Sequence, residues 1–413
     1  MQANLSCDVL PASILTVEQA QERILSSVQA ITATESVSLL AGCSRILATD
    51  VYAGFDVPPH RNSSMDGYAF AQASLTKATS LKQVGIAWAG RPYLDQVELG
   101  KCVRIMTGAC LPEGTDTVVM QENTRQQALQ ITLQTPTQLG ENVRYPGDDF
   151  KQGELLLEAG RKLTAADLGL LASLGLTQVQ VLRKPKIAIC STGDELRPLG
   201  STLQAGDIYD TNRYTLHALL QALNVEVLDL GIIPDQPAAI EQAFLHASQQ
   251  ADVLITTGGV SVGDADFVTS TLQKLGEVNI WKIAMKPGKP LAQGKLGECL
   301  FFGLPGNPVS TMATFLIFVR PAILKLAGAN TAQPITQLAT TLTDLKKTPG
   351  RKDYQRGIYT LTSNGLQVRS TGKQDSHLLR SMSQANCFIV LEREWGDMAA
   401  GSQVSILPFD QLF

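Results

Sequence analysis

From Lys186 onward the chain alternates short apolar runs with amphipathic stretches, and this rhythm constrains its fold more than any other feature. Ile187-Ala188-Ile189-Cys190 has the character of a buried strand. Thr211 to Leu223 places Leu216, Leu219, Leu220 and Leu223 at helical spacing. Val225 to Leu230 is a strand, and Pro237 to Ala247 a helix with proline near its start. Val253 to Thr256 and Leu300-Phe301-Phe302 are strands, Phe267 to Leu275 is a helix, and Val309 opens a long apolar helix. Strands and helices alternating at this spacing imply a doubly wound parallel sheet with helices on both faces and right-handed crossovers.

The flanking regions have other rhythms. Thr16 opens a helix with Gln19 completing a capping box, and Val17, Ala20, Ile24, Val28 and Ile31 share one face. Between residues 51 and 145, short alternating runs such as Gln130-Ile131-Thr132-Leu133 lie between glycines and prolines, which predicts a β-rich module. Thr164 caps a further helix, with Asp167 at its third position and Gly175 past its end. Beyond Gly328 the helical period fades. Strands around Thr343, Val368, Phe388-Ile389-Val390-Leu391 and Val404-Ser405-Ile406 predict a small C-terminal β-barrel or sandwich.

A chain of 413 residues holds two to four domains. Its net charge of -4 argues against non-specific nucleic-acid binding, so an anionic substrate would need locally placed lysines or arginines. The most apolar stretch, Met312 to Leu326, is interrupted by Arg320, Pro321 and Lys325 and reads as a buried helix, not a membrane span. Asp8 and Glu18 sit where a signal peptide would be basic and then apolar, which favours the cytoplasm. The seven cysteines form no C-x-x-C pair and the four histidines no i, i+4 pair, so a zinc, dithiol or histidine metal site is not expected.

In an open parallel sheet, ligands bind outside the carboxyl ends of the strands. Four loops fall at such ends: Ser191-Thr192-Gly193-Asp194-Glu195-Leu196, Pro234-Asp235, Thr257-Gly258-Gly259-Val260-Ser261-Val262-Gly263-Asp264-Ala265-Asp266, and Leu304-Pro305-Gly306-Asn307-Pro308. Glycines allow a sharp turn whose N–H groups can cradle a phosphate. The helix after Pro308 starts with N–H groups that have no intrahelical partner, a second anion site. Asp194, Glu195, Asp235, Asp264 and Asp266 would gather carboxylates on that edge, and hard oxygen ligands suit Mg²⁺. Lys282, Lys286 and Lys289 flank Pro287 and Pro290, which stiffen the segment enough to hold lysines against an oxyanion. The spacing of Gly258, Gly259 and Gly263 is not G-x-G-x-x-G, and Gly288 to Lys295 is not a P-loop.

Together with Ser64-Met65-Asp66-Gly67-Tyr68-Ala69, Arg104-Ile105-Met106-Thr107-Gly108-Ala109, Lys286-Pro287-Gly288-Lys289-Pro290, Arg356-Gly357 and Ser376, these loops resemble the molybdopterin molybdenumtransferase family, the bacterial MoeA and gephyrin E-domain type. The resemblance spans essentially the whole chain. It implies an enzyme that takes adenylylated molybdopterin and molybdate and, with Mg²⁺, yields molybdenum cofactor and AMP. It implies a homodimer with a cleft between subunits, and contact with the adenylyltransferase that makes the substrate. The domains would be a discontinuous, elongated dimerisation domain (1–50 and 146–182), an inserted β-rich module (51–145), an α/β molybdopterin-binding domain (183–328) and a β-barrel (329–413). Asp235 and Asp266, with Glu195 beside them, would serve metal and pyrophosphate. Thr257, Gly258, Gly259 and Ser261 would cradle the phosphates or pterin, near Pro305, Gly306, Asn307 and Pro308. Lys282, Lys286, Lys289, Arg356 and Ser376 would face molybdate, and Asp66 and Thr107 would enter from the partner subunit. Asp264 departs from many relatives, which carry Glu there. The alternatives left are the preceding adenylylation, since related adenylyltransferases share Thr257-Gly258-Gly259, and a non-catalytic scaffold.

Overall fold

The computed structural model describes residues 14–76, 79–258, 267–330 and 334–412. It forms two compact units, one of residues 1–48, 160–164 and 178–413, the other of residues 49–159 and 165–177.

The larger unit is built on a seven-stranded sheet in the order Ile14–Leu15, Glu277–Ile283, Pro290–Leu296, Cys299–Leu304, Val253–Thr257, Lys186–Thr192, Glu226–Ile233. The last four are mutually parallel, as the alternating sequence requires. Beyond this parallel core the sheet is mixed. Pro290–Leu296 runs antiparallel to both Glu277–Ile283 and Cys299–Leu304. The physical reason for the second pairing is length: two residues, Gly297 at φ +61° and Glu298, turn the chain between Leu296 and Cys299, too short a connection for a crossover helix.

Strand alternation divides the core between the two faces. Ile187, Ile189, Val253, Ile255 and Phe302 point to one face, against the helices Val17–Ser27, Asn212–Ala222 and Pro308–Leu326. Ala188, Cys190, Leu254 and Phe301 point to the other, against Pro237–Gln250 and Phe267–Leu275. The first helix carries the predicted capping box: Gln19 N–H donates to Thr16 Oγ1 and Thr16 N–H to Gln19 Oε1. That helix ends at Ser27, so Val28 and Ile31 lie beyond it, although both are buried in the same core. Pro308–Leu326 is, among the described residues, the one helix long and apolar enough to cross a membrane, but most of it is buried inside the protein. Its middle, Phe315–Val319, is a π-helical turn.

The C-terminal strands close a five-stranded barrel in the order Lys352–Thr362, Gly365–Ser370, Gln337–Thr341, Gln403–Pro408, Cys387–Leu391, with the last pairing back to the first. Met285–Lys286 adds to this barrel in parallel with Lys352–Asp353. The chain segment bearing the lysines is thus stitched to the barrel. In the other unit, a six-stranded sheet runs Thr117–Met120, Gly67–Phe70, Lys101–Ile105, Ser80–Ala87, Gln130–Leu133, Thr124–Gln127.

Candidate active-site cleft

The carboxyl ends of the parallel strands carry the predicted loops. Lys186–Thr192 ends at Gly193, whose φ of +148° favours glycine, and an added Cβ would meet the Glu195 carboxyl at 2.6 Å. The Asp235 N–H, after Glu226–Ile233, donates to Asp194 Oδ1 at 3.4 Å, which brings two of the acidic loops together. Val253–Thr257 ends at Gly258, at φ +86°, where a Cβ would lie 2.5 Å from the Thr192 carbonyl oxygen. Ser191 and Thr257 hydroxyls share a buried hydrogen bond at 3.0 Å. Gly259, Ser261, Asp264 and Asp266 lie outside the described residues. Among the described residues, no three His, Cys, Asp or Glu side chains are grouped closely enough to hold a metal.

A cleft of about 590 Å³ opens beside these loops, and its walls include Gly258, Lys286, Gly288, Lys289, Pro305, Gly306, Asn307, Arg351, Gln374, Asp375 and Ser376. Met285–Lys286 and the residues after it form one wall, the Pro305-Gly306-Asn307 loop a second, and the barrel a third. Gly288, at φ +100°, passes so close to the Pro308–Leu326 helix that a Cβ would meet Thr314 Oγ1 at 2.5 Å. The loop on the second wall is pinned by Thr311 Oγ1, which donates to Pro305 O at 2.6 Å, and by Asn212 Nδ2, which donates to Gly306 O at 2.7 Å.

Three cations face this space. Lys286, Lys289 and Arg351 are exposed at the cleft, and their side chains make no hydrogen bond or salt bridge among the described residues. Among the described residues, the acid on the same walls is Asp375. The cleft therefore concentrates positive charge in an acidic protein, the local arrangement an oxyanion requires.

Arg356 and Ser376 arrive differently from one another. Ser376 lines the cleft, and its carbonyl accepts the Val309 N–H at 3.1 Å. That bond uses the first free N–H of the helix, so the predicted helix-start anion site is narrower than expected. Arg356 is only 1% exposed and does not line the cleft. Its Nε donates to Ser381 Oγ at 3.0 Å and its Nη2 to Asp375 O at 3.1 Å. Burial pushes its pKa down to about 10, opposed by the Asp375 charge. Gln374 ties the same loop, accepting the Arg356 N–H at 2.8 Å. Arg356 thus supports the wall that carries Ser376. Lys282 and Pro308 belong to the same unit without lining the cleft.

In the other unit Asp66 Oδ1 accepts the Thr107 N–H at 2.7 Å and the Thr107 hydroxyl at 2.8 Å. These two bonds hold the Asp66 carboxyl below the usual aspartate range. The pairing follows from Gly67–Phe70 lying antiparallel to Lys101–Ile105, which brings the two motifs to one end of the sheet.

Arg351, Gln374 and Asp375 escaped the sequence reading. The signal available was a basic residue directly after Pro349-Gly350, a turn held stiff in the same way as the lysine segment.

Family models match along the chain: the MoeA N-terminal region (domain I and II) over residues 15–175, a probable molybdopterin binding domain over 188–325, and the MoeA C-terminal region (domain IV) over 339–409. A molybdopterin molybdenumtransferase of Haemophilus influenzae is 46% identical over 97% of this chain and 100% of its own length. Gephyrin of Dictyostelium discoideum is 32% identical over 90% of this chain and 59% of its own length. The crystal structure of a molybdopterin biosynthesis MoeA protein from Pyrococcus horikoshii superposes with a TM-score of 0.83 at 28% identity, over 96% of this chain and 100% of that one.

Proposed function

The chain belongs to the molybdopterin molybdenumtransferase family, transferases that insert molybdenum into molybdopterin, and from that premise we propose that it takes adenylylated molybdopterin and molybdate, requires Mg²⁺ and releases AMP. The observation that carries this reading is the cleft itself. Three cations that make no side-chain hydrogen bond or salt bridge among the described residues, Lys286, Lys289 and Arg351, face a glycine turn at the carboxyl edge of the sheet. The cations suit a small tetrahedral oxyanion, and the turn suits the phosphates of the pterin nucleotide.

Cleavage of a phosphate anhydride needs orientation and charge neutralisation more than a protein nucleophile. The buried thiols of Cys190 and Cys299 are pushed up to about 12 by burial, so neither is a thiolate at neutral pH. Lys286, Lys289, Arg351 and Ser376 would hold molybdate, with Lys282 beyond them. Thr257 and Gly258, with Gly259 and Ser261, would hold the phosphates. Pro305, Gly306, Asn307 and Pro308 would bound the pterin side.

The acidic edge fits a hard cation: its donors are all oxygens, and the Asp194–Asp235 contact draws two loops together. Mg²⁺ keeps several waters and needs only one or two carboxylates besides substrate phosphates. Glu195, Asp235 and Asp266 would hold it, and it would supply neutralisation of phosphate charge. Asp66, held ionised by Thr107, would act from the partner subunit of a homodimer. The domain scheme set out from the sequence, cytoplasmic placement and contact with the adenylyltransferase belong to the same proposal.

The test is one assay with purified protein, adenylylated molybdopterin, Mg²⁺ and molybdate. Molybdate-dependent AMP release is expected. Consumption of ATP with free molybdopterin would instead favour adenylylation, and neither activity would favour a scaffold.

A further inference from the structure

The side chain of Lys347 is fully buried, at 0% exposure. An ammonium taken out of water is costly unless its protons are used. Lys347 Nζ donates to the Arg351 carbonyl at 2.5 Å and to the Thr348 carbonyl at 3.0 Å. Asp353 Oδ1 lies 3.9 Å away as its counter-charge. Burial pulls the lysine pKa down and pushes that of Asp353 up, each opposed by the charge of the other.

These contacts close Lys347-Thr348-Pro349-Gly350-Arg351 around an internal cation. Two carbonyls of the turn are committed to the ammonium, while the Arg351 side chain lines the cleft. Gly350 takes φ +107° within the turn, and its N–H donates to Arg393 O at 2.8 Å. Asp353 is also the register partner of Lys286 in the strand pairing. One internal ion pair therefore stands behind two of the three cations of the cleft. A hydrophobic residue would be cheaper to bury here, so the charge has the character of a device that fixes a turn.

We propose that Lys347 is a positioning residue for the oxyanion site: its buried ammonium locks the 347–351 turn so that Arg351 is aimed into the cleft beside Lys286. The inference rests on the reading that the cleft takes an oxyanion. A preset turn removes part of the ordering cost that a loose guanidinium would meet on binding.

The experiment uses the full chain, with molybdate titrated calorimetrically and amide hydrogen exchange followed by mass spectrometry. Lys347→Met keeps length and removes charge. Exchange across residues 348–353 is expected to speed up, and molybdate affinity to fall about tenfold. Arg351→Ala added to Lys347→Met should cost less than about twofold more, because both changes remove one function. Unchanged exchange across 348–353 overturns the inference whatever the titration gives. Losses that add in the double variant overturn it too. Wild-type protein that fails to bind molybdate sinks the oxyanion reading instead, and the exchange arm still decides the role of Lys347. If Lys347→Met does not fold, Gly350→Ala strains the same exposed turn and touches no buried charge. Unchanged molybdate affinity in that variant then overturns the inference.

Discussion

At the scale of single residues, the cleft cations and the Asp66–Thr107 pair carry the sharpest expectations. Each of Lys286 and Arg351 offers one charge-assisted contact, worth about 1.5–3 kcal/mol. Lys286→Ala should weaken molybdate binding by roughly one to two decades in a calorimetric titration, and Arg351→Ala by about one decade. Unaltered affinity in Lys286→Ala would remove that residue from the oxyanion site. Thr107→Ala deletes the hydroxyl that donates to Asp66 and leaves the backbone N–H in place. The Asp66 pKa should then rise toward the ordinary aspartate value, read by the NMR titration of its carboxyl carbon. The motifs bearing Asp66, Thr107, Lys286 and Lys289 were visible in the sequence because their glycines and prolines lie within each motif. Arg351 was not. It faces the same cleft as Lys286 only because Met285–Lys286 pairs with Lys352–Asp353, a contact between distant segments.

At the scale of elements, the strand ends are tightly packed backbone, and glycine is required where they approach. Gly258→Ala places a Cβ 2.5 Å from the Thr192 carbonyl at a positive φ. The change should cost about 1–3 kcal/mol of stability by thermal melting and weaken nucleotide binding with it. A second element-level feature is the start of the strand Lys186–Thr192. Asp252 accepts two bonds from Arg183, at 2.8 and 2.7 Å, and one from the Lys186 N–H at 2.8 Å. Burial opposes its ionisation, but the Arg183 and Lys186 contacts prevail and hold its pKa below the usual range. A depressed carboxylate stabilises the fold above its unfolded pKa, about 3.9, and loses that contribution as pH falls through the lower folded value. Chemical denaturation from pH 7 to pH 3 should show Asp252→Asn less stable at neutral pH and less acid-sensitive than the parent. Helix and strand positions were legible because burial repeats locally, at 3.6 or 2 residues. The antiparallel strand Pro290–Leu296 was not, since direction depends on the length of the connection and the partner available.

At the scale of the whole molecule, the proposed homodimer with a shared cleft makes a complementation test available. Asp66→Ala and Lys286→Ala subunits, each inactive alone, should recover activity when refolded together, because mixed dimers would contain one intact cleft. No recovery would place both residues in one subunit's site. By itself the sequence determined the α/β core, the β-rich regions, the loops that end the parallel strands and the family, because each depends on local periodicity or on a motif read within a few residues. Tertiary structure alone decided that Arg356, expected to face molybdate, is buried behind the cleft wall, that Arg351 takes a place at the cleft, and that Lys347 stands beneath it. Those outcomes depend on which distant strands pair as the barrel closes, and whether an arginine or lysine meets water or backbone carbonyls is settled only there.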